Sequence, residues 1–100
     1  MTQTTGTKKA TKWDSAEFLT AEEDIVAYLN AALEDDDTSV IIAALGDVAR
    51  SRGMTQLSKE TGITRDGLYK ALASTGNPSF NTIQKVLQAF GLKLSITPIN

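Results

Sequence analysis

The stretch MTQLSKETGITRDGLYKAL, residues 54–72, decides the fold. It opens as a helix with Leu57 facing inward, then meets Gly62, a residue that adopts positive φ at little cost and so ends helices. Ile63 buries beside the glycine. Thr64 is a capping residue, and Leu68, Ala71 and Leu72 follow as a second inward series. The stretch reads as two short helices, the first over about residues 55–61, the second starting at Thr64, with a tight turn between them. Ser58, four residues before Gly62, is small, as a close helix crossing requires. The spacing of Leu57, Ser58, Gly62, Ile63, Leu68 and Leu72 is that of a helix-turn-helix. A generic pair of packed helices also shows apolar residues here. It has no need for a small residue four before the glycine and a cap two after it.

The outward positions of the second helix are Thr64, Arg65, Asp66, Tyr69 and Lys70. A recognition helix reads base edges in the major groove with its N-terminal residues. Arg65 can bond guanine in bidentate fashion, and Lys70 can do so more loosely or bind phosphate. Asp66 has two readings of equal weight, acceptance from a cytosine amine or a role that merely caps and orients Arg65. Tyr69 offers a hydroxyl to phosphate or a ring to a thymine methyl; its alternative is partial packing. Gly67 stands inside the helix at a cost of ~1 kcal/mol relative to Ala, which close approach to DNA would explain. Thr55 and Gln56, opening the first helix, suit backbone phosphates, as do Ser79 and Asn81, opening a later one.

Upstream, TAEEDIVAYLNAALEDDD begins with Thr20 and carries Glu23 three residues on, a capping-box pattern. Glu22, Glu23 and Asp24 favour the positive end of a helix dipole. Ile25, Leu29 and Leu33, joined by Val26 and Ala32, predict an amphipathic helix over residues 21–34. Asp35, Asp36 and Asp37 stop it. Asp37 or Thr38 caps the next helix, whose buried stripe is Ile41, Ala44, Leu45, Val48 and Ala49. Arg50 and Arg52 fall in its last turn, and Gly53 suits the left-handed position beyond it. Downstream, Gly76 and Pro78 mark a loop. Ser79 or Asn81 caps a helix with the stripe Phe80, Ile83, Val86, Leu87 and Phe90, ended by Gly91. In LKLSITP the period changes. Leu92, Leu94 and Ile96 alternate with Lys93, Ser95 and Thr97, which predicts a short half-buried strand. Such a strand needs a partner, for which the same strand of a second subunit is a candidate.

Charge is segregated. Residues 1–12 carry three positive side chains, residues 13–37 nine acidic ones and no Lys or Arg, and residues 38–100 seven basic and three acidic ones. Two surfaces with different partners would produce this pattern, and so would one solvated acidic face. The expected domains are a disordered tail over 1–12, an acidic helical segment over 13–37, and a helix-turn-helix domain with a C-terminal strand over 38–100. Residues 1–12 carry no apolar core after their lysines, and no apolar run approaches the ~18–20 residues that span a bilayer; the cytoplasm is the expected location, with no membrane partner. The chain has no Cys and no His, which removes the commonest bases, nucleophile pairs and zinc ligands. We expect no enzyme, no cofactor and no metal. Asp35, Asp37 and Ser39 imitate alternate calcium ligands, but no Gly stands at loop position six and no Glu at twelve.

The region over about 41–90 resembles a lambda-repressor-like, or XRE-type, DNA-binding domain. Over roughly 14–97 the chain resembles more closely the addiction-module antidote proteins, a HigA-like antitoxin group, through the motifs GMTQL, ETGI, GLYKAL and GNPSF. It departs from them at Ser58, where Ala is usual, and in the Lys-rich tail. The resemblance implies an all-α, five-helix lambda-repressor-like domain with an acidic N-terminal helix and a short C-terminal β-strand. It implies an antitoxin of a type II toxin-antitoxin module that neutralises a basic RelE-like toxin and represses its own operon as a homodimer on operator DNA. The DNA-reading positions it implies are Thr64, Arg65, Asp66 and Lys70, with Tyr69 nearby. For the toxin, charge alone favours the acidic segment with Glu22 and Glu23. Trp13, Phe18 and Leu19 are candidate apolar anchors, with folding back onto their own core as the equal alternative. Two other readings are a stand-alone XRE-type repressor without a toxin and an interaction module that no longer binds DNA.

Overall fold

The computed structural model describes residues 21–99, which form five α-helices and, among the described residues, no strand. They are α1 (Glu22–Leu33), α2 (Thr38–Arg52), α3 (Met54–Thr61), α4 (Arg65–Ala71) and α5 (Phe80–Ala89). α1 and α2 lie against each other as a helical hairpin, and α3 packs on α2, α4 and α5. One apolar cluster joins all five. It takes Ile25, Leu29 and Ala32 from α1, Ala44, Leu45, Val48 and Ala49 from α2, and Met54 and Leu57 from α3. Leu68 and Leu72 come from α4 and its cap, and Val86, Leu87 and Phe90 from α5 and its end. No polar or charged side chain among the described residues is buried, so burial of apolar surface carries the fold.

The helix ends follow side-chain chemistry. Asp37 caps α2 by accepting from the Ser39 amide at 2.9 Å, and Asp35 accepts from the Asp37 amide at 2.8 Å. These carboxylates shape the turn between α1 and α2. Among the described residues no three acidic side chains gather as a cation site. Ser79 caps α5 by accepting from the Thr82 amide at 3.1 Å. At its far end the Leu92 amide donates to Leu87 O and the Gly91 amide to Gln88 O, both at 2.9 Å, with Gly91 at φ 81°. This is a Schellman closure. Arg52 ties α2 to α5: its guanidinium donates to Ala89 O at 3.1 Å and lies 5.7 Å from the Phe90 ring centre.

Several expectations are corrected. Residues 92–97 form no strand here. A strand exists only through a neighbour's backbone, and residues 93–99 make no backbone hydrogen bond among the described residues. The residue preceding α1 is Ala21, which has no capping side chain; the capping-box reading rests on Thr20, which lies outside the described residues. Leu33 is 50% exposed and Val26 is exposed as well. Leu33 is the last residue of α1, beyond the reach of α2, and Val26 is one position off the seam of Ile25, Leu29 and Ala32. Ile42 is buried where Ile41 was expected, Ile41 being half-buried at the edge of the core. Phe80 is 62% exposed because it opens α5 one turn ahead of Ile83, where packing against the core begins. Gly53 has positive φ, 99°, but ψ of 121° places it outside the left-handed helical basin, since it hands α2 directly to α3.

Candidate nucleic-acid interface

α3 and α4 are joined by residues 62–64, and every step of the turn has a hydrogen bond. Gly62 is left-handed at φ 77° and ψ 7°, and its amide donates to Ser58 O at 2.9 Å. The Ser58 hydroxyl donates to Ile63 O. The Thr61 hydroxyl donates to Leu57 O at 2.8 Å and accepts from the Ile63 amide at 3.2 Å. Thr64 then caps α4, accepting from the Gly67 amide at 3.0 Å. Ser58 thus bonds across the turn as well as fitting a crossing. Leu57 and Leu68, each 0% exposed, fix one helix to the other from beneath.

This frame leaves Thr64, Arg65, Asp66, Tyr69 and Lys70 exposed on α4. The structure brings them together in two pairs. The Arg65 guanidinium carbon lies 5.9 Å from the centre of the Tyr69 ring, within cation–π range. Lys70 Nζ lies 3.2 Å from Asp66 Oδ2. Both side chains of that pair are open to water, so it adds little stability. Asp66 therefore pairs with Lys70, and Arg65 rests on Tyr69. Tyr69 is half-exposed, its ring occupied on one side by Arg65. A guanidinium in the first turn and an ammonium in the last turn of one short helix are therefore both exposed, where each can meet a base edge or a phosphate.

Gly67 has a local explanation that the sequence did not supply. A Cβ there would lie 3.0 Å from Thr64 Oγ1 and 3.2 Å from Ile63 Cγ2. The glycine keeps the cap and the turn close to α4, whatever approaches from outside.

The outlying candidates are placed as follows. Thr55 and Gln56 are exposed in the first turn of α3, and the Gln56 amide donates to Glu60 Oε2 at 3.0 Å. Glu60 was not singled out, although its i+4 spacing makes the pair legible. Ser79 and Asn81 are exposed at the start of α5, with the Ser79 hydroxyl engaged by Thr82 at 3.0 Å. Glu22 and Glu23 are exposed in the first turn of α1, where they line a shallow depression with Val26, Ala27 and Asn30. Trp13, Phe18 and Leu19 lie outside the described residues. A second network joins α1 to α2: Asp47 accepts from the Tyr28 hydroxyl and from Arg50. The Arg50 contact follows helical spacing, whereas Tyr28 is nineteen residues away in sequence and only the α1–α2 packing reveals it.

No helix among the described residues is long and apolar enough to cross a membrane. No solved structure matches the chain. A relative from Haemophilus influenzae, an uncharacterized protein, is 48% identical over 90 residues, covering 90% of this chain and 93% of the relative. The family described as probable addiction module antidote protein matches residues 9–98. That span is nearly the whole chain, and the chain belongs to this family of addiction-module antidotes, whose role is that of the antitoxin to a partner toxin.

Proposed function

We propose that the chain is the antitoxin of a type II module, of the HigA-like and XRE kind. In this reading it neutralises a RelE-like toxin in the cytoplasm and represses its own operon as a homodimer. The observation that carries the DNA half is the α4 surface. Arg65, Asp66, Tyr69 and Lys70 are exposed on a helix whose other side, at Leu68, is fully buried against α3. A helix held this firmly and left this open is suited to entering a major groove. Thr64, Arg65, Asp66 and Lys70 would face base edges, with Tyr69 beside them. Thr55, Gln56, Ser79 and Asn81, all at helix starts, would meet backbone phosphates.

Family membership supports a toxin partner, and charge supports its chemistry. The nine acidic side chains of residues 13–37 would attract a cationic, RNA-cleaving enzyme and cover its basic surface. Glu22 and Glu23, open to solvent beside Val26, belong to that surface. A chain with a net charge of −2 suits DNA binding when most of its acidic residues lie away from the DNA face, an arrangement that the clustering of nine of the twelve in residues 13–37 favours.

The test of the toxin half is genetic. The reading frame beside this gene is induced alone and together with the gene. Growth arrest relieved by co-expression, and a complex that survives co-purification, are the expected results. Relief that fails while operator binding persists would leave a stand-alone repressor.

A further inference from the structure

Residues 92–99 leave the α5 cap without regular secondary structure, and residues 92–95 run beside α1. The Leu92 amide is held by Leu87 O, and from Lys93 onward no backbone group bonds to any other among the described residues. The side chains alternate: Leu92, Leu94 and Ile96 against Lys93, Ser95 and Thr97. Leu94 is 41% exposed and Ile96 97% exposed. Residues 92–95, with Leu92 and Leu94 as their apolar members, form one wall of a groove whose other lining includes Val26, Leu29, Leu33 and Leu87. The two exposed apolar residues of α1, Val26 and Leu33, therefore lie on the same surface as the unpaired strand-like segment. A backbone left unbonded, with apolar side chains at alternate positions, is a template for another chain.

We propose that residues 92–98 pair antiparallel with the same residues of a second copy, about a two-fold axis through Ser95. The inference deepens the homodimer reading above and rests on it for its purpose, since two recognition helices on a palindrome require a two-fold axis.

The occupant is a second copy because the pattern is self-complementary in this register. Antiparallel pairing about Ser95 sets Leu94 opposite Ile96, Leu92 opposite Pro98 and Lys93 opposite Thr97. All even-numbered residues then share one face, as the pleat demands. Lys93 never meets its own copy, so no like-charge contact arises. Pairing about Leu94 would set Thr97 against Gly91, which the Schellman turn withdraws. Pairing about Lys93 would oppose the two lysines. Pro98 has no amide hydrogen and stands where the pairing ends. A two-stranded ribbon alone is marginal in water. Here it has support at one end, because Leu92 and Leu94 line a groove with Val26, Leu33 and Leu87 in each copy.

The full-length chain has no cysteine, so an introduced thiol reports one contact. Mass is measured by light scattering on the wild type, Ser95→Pro and Ile96→Asp, with helix content and melting followed by circular dichroism. Ser95→Cys and, as control, Gln84→Cys are oxidised in air. The expected results are a wild-type mass twice 10.7 kDa, monomers of unchanged melting for both variants at low concentration, and a disulfide-linked dimer for Ser95→Cys well ahead of the control. A monomeric wild type would overturn the pairing. So would a dimer that survives both substitutions; that outcome leaves a dimeric repressor intact with its interface elsewhere. Loss of toxin capture by Ile96→Asp from a chain that is monomeric throughout would assign the segment to the toxin and likewise overturn it.

Discussion

Thr64 Oγ1 accepts a hydrogen bond from the Gly67 amide at 3.0 Å, and a Cβ on Gly67 would stand 3.0 Å from that same oxygen. The cap that starts α4 and the glycine inside it are one device. Alanine is ordinarily better than glycine inside a helix by ~1 kcal/mol. At position 67 the new methyl would press on the cap and on Ile63. Gly67→Ala should therefore fail to gain that amount and should lower the melting temperature. Loss of the cap by Thr64→Ala should itself cost ~1 kcal/mol. In the Thr64→Ala background, Gly67→Ala should be less harmful than in the native chain. Thermal melts of the two single variants and the double variant measure that coupling. Additive effects would show that cap and glycine act independently.

Leu57 and Phe80 separate the core from the surface. Leu57 has no exposed area and belongs to the shared core cluster, whereas Phe80 is largely open. Leu57→Ala should cost ~2–5 kcal/mol through lost burial and the cavity left behind. In a domain of this size that is enough to unfold much of the population. Phe80→Ala should change stability by less than ~0.5 kcal/mol. Urea titration followed by circular dichroism compares them. A large loss for Phe80→Ala would place that ring inside an assembly rather than in solvent.

Asp37 gives an acid-side signature. Its carboxyl is held below the usual 3.8 by hydrogen bonds from the backbone and the side chain of Ser39. A depressed value in the folded state means that this contribution is fully present above the unfolded pKa. It is lost as the pH falls through the folded one. The melting temperature of Asp37→Ala should lie below that of the native chain at neutral pH, and the gap should narrow below about pH 4. A gap unchanged down to pH 2 would mean that the ionised carboxylate is not what caps α2.

The parts of the fold that sequence revealed are those decided within a few residues. Gly62, Thr64, Asp37, Ser79 and Gly91 each act on amides or carbonyls within about one helical turn, so type and spacing mark Gly62, Thr64 and Gly91 and narrow the other two caps to Asp37 or Thr38 and Ser79 or Asn81. Burial was legible only in the middle of each helix. Period marks Ile25 and Leu29 correctly, but it cannot say where a neighbouring helix stops covering, and so Leu33 and Phe80 were assigned to the core. The Tyr28–Asp47 bond joins two helices whose approach no local rule fixes. The strand at 92–97 was read from true alternation, but its pairing needs a second backbone that residues 21–99 do not provide. On α4 the exposed residues were legible from helical spacing. Their pairing was not, because Arg65 could turn to Asp66 or to Tyr69, and only the coordinates decide for Tyr69.

The most direct measurement is a fluorescence-anisotropy titration of labelled DNA from immediately upstream of the gene, with scrambled DNA as control, at two salt concentrations. Wild type and Arg65→Ala, Lys70→Ala run side by side. The expected result is sequence-selective binding that weakens steeply with salt. The double variant should lose at least ~10-fold in affinity, from base contacts worth ~1–3 kcal/mol each, and should show a shallower salt slope. Equal affinity for operator and scrambled DNA, or a double variant that binds as the wild type does, would contradict the assignment of α4 as the surface that reads DNA.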